Sequence, residues 1–235
     1  MSAKKNIVII PTFNESENIA EIINKIQVFD FDVLVVDDNS PDHTSSIVKK
    51  LMNSNKKIHI LERPKKLGLG SAYRDGFNYC IEKGYKNLIQ MDADFSHRIE
   101  DLNTMLTFID DYEVIIGSRY ISGGGSMGWS SFRKSLSKFA NIYARIITGT
   151  KVYDMTSGFR IYSSDALEKI QYKKTTSNGY GFQIEMSARA YNQQLTIKEV
   201  PIIFHERREG ESKMNYKIIL EALFIVFKLR YYYYN

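Results

Sequence analysis

Asn87-Leu88-Ile89-Gln90-Met91-Asp92-Ala93-Asp94 sets a short apolar run directly before two carboxylates one residue apart. The run has the length and content of a strand buried on both faces, and the acids mark where it opens into a loop. Similar runs lie at Ile7–Ile10, Val33–Val36, Ile58–Leu61 and Val114–Gly117. Between them, helical spacing covers Glu15–Ile26, Thr44–Met52, Ser71–Glu82 and Ile99–Ile109. In the first of these, Ile19, Ile22, Ile23 and Ile26 share one face. The alternation predicts an α/β fold, with a mostly parallel central sheet flanked by helices and right-handed crossovers. Ligands on such sheets collect at the carboxyl ends of the strands, which is where Asp92 and Asp94 fall.

The second half is less regular. A glycine-rich loop, Ser122–Ser126, precedes an amphipathic helix over Ser131–Ile147. Helices are expected at Asp165–Ile170 and Gln183–Gln193, a strand at Thr196–Phe204, and a basic loop at Glu206–Lys213. The 235 residues suit one domain over 1–213 with a C-terminal helical tail over 214–235. Charge is mildly basic, 32 Lys and Arg against 27 Asp and Glu, with no zinc-finger, homeodomain or RNA-binding pattern, so nucleic acid is not an expected partner. The single cysteine, Cys80, excludes an internal disulfide and reads as a small core residue on a helix. There is no signal-peptide pattern and no apolar stretch of the length a transmembrane helix needs.

The strand ends carry the chemistry. Asp92 and Asp94 offer hard oxygen ligands of the kind that suit Mg²⁺ or Mn²⁺, cations that bind phosphates while keeping several waters. The first strand ends Pro11-Thr12-Phe13-Asn14-Glu15. No Gly-x-Gly-x-x-Gly follows it, which disfavours a dehydrogenase. Asn14 and Glu15 either contact a nucleotide or simply start a helix, as N-cap and first-turn acid. The second strand ends Val36-Asp37-Asp38, two acids suited to sugar-hydroxyl or base recognition; Asp42, nearby, reads as a helix cap. After the third strand, Arg63-Pro64-Lys65-Lys66-Leu67-Gly68-Leu69-Gly70 places cations and glycines where a diphosphate could be cradled, or else forms a loop of solvated lysines.

Together these ends resemble the GT-A (nucleotide-diphospho-sugar transferase) glycosyltransferases of the family-2 type. Downstream, Gly117-Ser118-Arg119-Tyr120, Thr156-Ser157-Gly158-Phe159-Arg160 and Gly210-Glu211-Ser212-Lys213 fall in the order found in dolichyl-phosphate mannose synthases. So do Asp92-Ala93-Asp94-Phe95-Ser96-His97, Gly179-Tyr180-Gly181-Phe182-Gln183-Ile184-Glu185 and Glu199-Val200-Pro201-Ile202. The resemblance covers nearly the whole chain. It implies that Asp92 and Asp94 hold the metal, and that Pro11, Thr12, Asn14, Glu15, Val36, Asp37, Asp38, Lys66, Gly68 and Ala93 line the nucleotide site. It also implies that Arg119 and Arg133 take the acceptor phosphate, that Arg207 clamps phosphate, and that Lys213 stands beside the leaving diphosphate. Arg133 has an alternative as a solvated residue on a helix face with Lys134, Lys138 and Arg145. Ser96 departs from relatives that carry a glutamine there as a further metal contact, and neither Ser96 nor His97 is assigned a role.

The implied reaction is inverting transfer of mannose from GDP-mannose to dolichyl or another polyprenyl phosphate. The alternatives are a UDP-glucose-dependent glucosyltransferase, a transferase with a soluble acceptor, and a non-catalytic nucleotide-sugar-binding subunit. A lipid acceptor implies a membrane surface. Phe132, Leu136, Phe139, Tyr143 and Ile147 form the expected apolar face of the Ser131–Ile147 helix, with cations elsewhere for anionic headgroups. The tail would lie on the bilayer, pack on a small membrane-anchoring subunit, or pack on the core. By analogy the expected location is the cytosolic face of the endoplasmic reticulum, or the inner leaflet of the plasma membrane in a prokaryote.

Overall fold

The computed structural model describes residues 6–206 and 226–231. A seven-stranded sheet forms the centre, in the order β3-β2-β1-β4-β7-β5-β8. Its parallel strands are β1 (Asn6–Thr12), β2 (Asp32–Asp37), β3 (Ile58–Glu62), β4 (Asn87–Gln90), β5 (Val114–Ser118) and β8 (Ile197–Pro201). Alternation along each strand divides the core in two, because successive side chains leave a strand on opposite faces. From β1, Ile7 and Ile9 enter one core with Tyr73, Phe77 and Phe182. Val8 and Ile10 enter the other with the isoleucine face of α1. Helices α1 (Ile19–Gln27), α2 (Thr44–Ser54) and α4 (Asp101–Leu106) cover the second core. The first is covered by α3 (Leu69–Glu82), α6 (Ser164–Ile170) and α7 (Gly179–Asn192), and by the inner side of α5 (Ser131–Thr148). Cys80 is buried on α3, as expected.

Several expectations need correction. Strand β7 (Arg160–Ser163) has no counterpart in the sequence reading, yet it enters the middle of the sheet, antiparallel to both β4 and β5. Four residues opening on an arginine carry no strand signal of their own; the gap between β4 and β5 selects them. The expected Thr196–Phe204 strand breaks at Ile202. β8 ends at Pro201, which has no N–H to continue a ladder. β9 (Ile203–His205) then pairs with β6 (Gly125–Met127) in a separate two-stranded sheet. Helix α1 begins at Ile19 rather than Glu15, and α4 is shorter than Ile99–Ile109. Asn14 is therefore no helix cap; it adopts a left-handed φ of 62° in the turn before α1.

Helix α5 opens on Ser130, whose hydroxyl accepts from the Arg133 N–H, and closes on Gly149 at φ 67°. Its outward face is not the expected one. Leu136, Tyr143 and Ile147 are half-buried against the body. Phe132, Phe139, Ile142 and Ile146 are exposed, with Lys134 and Lys138 beside them. Periodicity finds the stripe of a helix, but the body decides which side turns in. Of the tail, residues 226–231 are helical. Val226 and Leu229 join the first core, Phe227 meets Tyr143 edge-on at 6.0 Å, and Arg230 donates to the Ile147 carbonyl at 3.0 Å. That part of the tail packs on the protein body. The expected boundary at 213 lies outside the described residues. Among the described residues, no helix is long and apolar enough to cross a membrane.

Candidate active site

All the parallel strand ends except that of β8 deliver expected site residues to one edge of the sheet. Pro11 pairs in register with Val36, and Thr12 with Asp37. The Thr12 hydroxyl donates to Asp37 at 2.8 Å, and Asp37 also accepts from the Ser40 N–H at 2.9 Å and hydroxyl at 2.6 Å. Ser40 Oγ in turn accepts from the N–H of the exposed Asn14 at 3.1 Å, which ties the turn after β1 to the end of β2. Asp42 takes the N–H groups of Ser16 and Thr44 and the Thr44 hydroxyl. Burial pushes the Asp42 carboxyl up, but these bonds outweigh it and hold the group below the usual range. Its part is to brace the loop, in keeping with its exclusion from the site. Glu15 does similar local work, its carboxylate accepting from the Asn18 amide at 3.1 Å.

Asp38 and the basic loop differ from expectation. Arg63 is buried and ion-paired to Asp38; it also donates to Ser71 at 2.7 Å, Asp75 at 3.0 Å and the Gly68 carbonyl at 3.2 Å. Asp38 further accepts from the Leu67 N–H at 3.2 Å. This guanidinium is therefore a brace for the loop after β3 and not a cation offered to a diphosphate. Lys65 and Lys66 are the exposed cations of that loop, and the Lys66 ammonium lies 3.8 Å from the centre of the Phe13 ring. Gly68 turns the chain into α3 at φ 94°, a conformation a side chain would strain.

At the end of β4 the two acids differ. Asp94 is buried, with one oxygen held by the Ser96 N–H at 3.1 Å. The Asp92 side chain is 36% exposed. Ala93 between them is buried in the second core. Because β7 runs back beside β4, it brings Gly158 against Asp92, where a Cβ would lie 3.2 Å from the carboxylate oxygen. Among the described residues no group of three or more His, Cys, Asp or Glu could hold a metal. A carboxylate pair with this narrow approach fits a hard cation that takes its other ligands from phosphates and water. Ser96 is fully buried and its hydroxyl has no hydrogen-bond partner among the described residues. Below the pair, the buried Tyr73 hydroxyl is pushed well above its ordinary range, chiefly by burial and then by Asp92.

The structure brings Arg119 and Arg133 together on one indole. Their guanidinium carbons lie 5.6 Å and 4.3 Å from the centre of the Trp129 ring. Arg119 is clamped: its Nε and Nη2 donate to both oxygens of the fully buried Asp154 at 2.8 and 2.7 Å, and Nη2 also to Thr156. Burial raises the Asp154 carboxyl, yet the Arg119 charge and hydrogen bonds overcome this and leave it below the usual range. Glu199 positions Asp154 in turn, accepting from the N–H groups of Tyr153 at 2.8 Å and Asp154 at 2.9 Å. Arg133 does not lie with the solvated cations of α5; it pairs with the half-exposed Glu206 at 3.0 Å. An aromatic row joins the two halves of the site. His97 stacks on Phe159 at 4.9 Å and meets Phe204 edge-on at 5.3 Å, and Phe204 meets Trp129 at 5.3 Å.

Trp129, Asp154, Glu199 and Arg160 were not singled out for the site from sequence. Arg160 is fully buried and staples the preceding loop, donating to the carbonyls of Ser157 at 2.7 Å and Met155 at 3.0 Å. A charge inside a loop motif reads as solvated until its partners are known, so motif order hinted at Arg160 and Glu199 and at neither Trp129 nor Asp154. Arg207 and Lys213 lie outside the described residues.

Comparison with known proteins shows the family. The pattern of glycosyl transferase family 2 matches residues 7–171. A polyprenol monophosphomannose synthase from Mycolicibacterium smegmatis is 42% identical over 95% of this chain and 86% of its own. An undecaprenyl-phosphate mannosyltransferase from Micrococcus luteus is 41% identical over 92% and 90%. Among solved structures, glucosyl-3-phosphoglycerate synthase from Mycobacterium tuberculosis, in complex with Mn²⁺, UDP and glucosyl-3-phosphoglycerate, superposes with a TM-score of 0.68. It is 16% identical, covering 97% of this chain and 80% of that one, and so supports the fold alone. The chain belongs to glycosyl transferase family 2, within which it groups with the polyprenyl-phosphate mannosyltransferases.

Proposed function

We propose that the protein transfers mannose from GDP-mannose to the phosphate of a polyprenol such as dolichol, with inversion, releasing GDP. The observation that carries this reading is the pairing of two sites on one sheet edge. A carboxylate pair for a metal-bound diphosphate stands at the end of β4, and two arginines on Trp129 stand at the end of β5 and the start of α5. The names of relatives above 40% identity support both the sugar and the acceptor.

In this reading Asp92 and Asp94 hold Mg²⁺ or Mn²⁺, which when bound neutralises charge on the departing diphosphate. Thr12, Asn14, Asp37 and Lys66 border the nucleotide, with Arg207 and Lys213 adding cations. The acceptor phosphate has a second pKa of about 6, so it is largely dianionic at neutral pH and needs no general base. Its oxygen attacks the anomeric carbon, the bond from that carbon to the diphosphate oxygen breaks, and both electrons leave with GDP. The protein's work is to bring two anions together. Arg119, fixed by a buried partner, is the preorganised cation. Arg133 is the exchangeable one, since a rim pair such as Arg133–Glu206 is weak and can yield to phosphate.

The exposed stripe of Phe132, Phe139, Ile142 and Ile146, flanked by Lys134 and Lys138, is the surface we assign to the bilayer. The bacterial relatives favour the inner leaflet of a plasma membrane over the endoplasmic reticulum; a membrane-anchoring subunit remains part of the proposal. The test is to incubate purified protein with labelled GDP-mannose or UDP-glucose and polyprenyl phosphate, with and without chelator. Mannose should enter the lipid phase only with metal, as a β-linked phosphate by NMR; glucose transfer or an α-linkage would overturn the assignment. In liposome flotation, Phe139→Glu with Ile146→Glu should lower binding to anionic vesicles by tenfold or more, taking roughly 25 cal/mol per Å² of apolar surface. Unchanged flotation would remove this face from the membrane.

A further inference from the structure

His97 is 4% exposed, and neither ring nitrogen has a hydrogen-bond partner among the described residues. Packing alone orients the ring, between the face of Phe159 and the edge of Phe204. A buried imidazole with unpaired nitrogens is costly, and a phenyl or aliphatic group would fill the same space without that cost. One nitrogen has a specific neighbour: Nε2 stands 3.4 Å from Oδ2 of Asp92, slightly beyond hydrogen-bond range. On its other side Asp92 is approached by Gly158, where a Cβ would crowd the carboxylate at 3.2 Å.

We propose that His97 is a positioning residue for Asp92, its Nε2–H steering the carboxylate into the orientation that accepts a divalent cation. The Ser96 N–H holds one oxygen of Asp94, and Nε2 of His97 stands in the corresponding place beside Asp92. Hydrogen bonds of this kind are often long before ligand binds and shorten afterwards. Losing the partner behind a metal ligand commonly costs about 10- to 100-fold in metal affinity. The inference rests on the reading of Asp92 and Asp94 as the metal site.

The test is Mn²⁺ binding to the full chain, followed by electron paramagnetic resonance with GDP present, for the wild type and for Asp94→Ala, His97→Phe and His97→Gln. The wild type should bind, and Asp94→Ala should not. His97→Phe should bind Mn²⁺ about tenfold or more weakly, while melting no lower than the wild type. His97→Gln, which can place an N–H near the position of Nε2, should recover most of the affinity. Should His97→Phe fail to fold, His97→Met carries the same comparison, since its flexible chain adapts to the space. Wild-type affinity in the Phe or Met variant, or a Gln variant as weak as Phe, would overturn the role of His97 while leaving the metal site intact. No Mn²⁺ binding by the wild type, or unchanged binding by Asp94→Ala, would instead remove the metal-site reading itself.

Discussion

Asp94→Ala is expected to lower the turnover of mannosyl transfer about a thousandfold while the protein stays folded. The residue combines near-complete burial with a position at the tip of a sheet strand, and one oxygen is already fixed by the Ser96 N–H. Removing one of two carboxylates from a cation site forfeits several kcal/mol of charge stabilisation, and about 4 kcal/mol corresponds to three powers of ten in rate. The structural cost includes the bond from the Ser96 N–H, about 1 kcal/mol. Steady-state rates at saturating metal, with thermal melting as control, separate the two effects. Turnover within a few-fold of wild type would exclude Asp94 from the chemistry.

Arg119→Met should be the more damaging change to stability. It strips the partner from a carboxylate that is fully buried, and breaking a buried pair from one side costs about 3–5 kcal/mol. The pH dependence supplies a signature. Asp154 titrates below its ordinary range in the folded protein, so its stabilisation is present above the unfolded-state value of about 3.9 and is lost as pH falls through the folded value. In Arg119→Met, burial is opposed only by the N–H of residue 119, Thr156 and the Arg160 charge, so the Asp154 carboxyl rises from its wild-type position. The deficit relative to wild type should therefore be largest near neutrality and shrink as pH falls toward 4. Urea unfolding at pH 7 and near pH 4 measures this; a pH-independent deficit would mean that Asp154 is not the group left exposed to the loss. Adding Asp154→Asn to Arg119→Met should restore part of the stability, because the two residues are directly coupled. On the proposed reading it should restore no activity, because the cation assigned to the acceptor phosphate is still missing.

Much of the scaffold was legible because it repeats. The parallel strands β1 to β5 were visible as short apolar runs, and the Ile19, Ile22, Ile23, Ile26 face anticipated the core of α1. Asp92 and Asp94 were legible because a strand end in a parallel sheet is a site by topology. The partners of charged residues were not. Arg63 and Arg119 look equally available in sequence, yet one holds the loop after β3 and the other stands on Trp129. His97 was passed over since nothing near it in sequence discloses a neighbour; Asp92, five residues earlier, comes within reach only through the turn after β4.

By itself, then, the order of residues determined the α/β class and the sheet edge at which Asp92 and Asp94, the acids proposed for the site, come to lie. Local periodicity and the rule that ligands meet strand ends suffice for that much. Tertiary structure alone decided that Arg160–Ser163 would insert antiparallel between β4 and β5, bringing Gly158 to Asp92, and that α5 would turn Phe139 and Ile146 outward. The physical reason is that a four-residue strand and the rotation of a helix are selected by long-range burial and pairing. Those terms exist only once the rest of the sheet is in place.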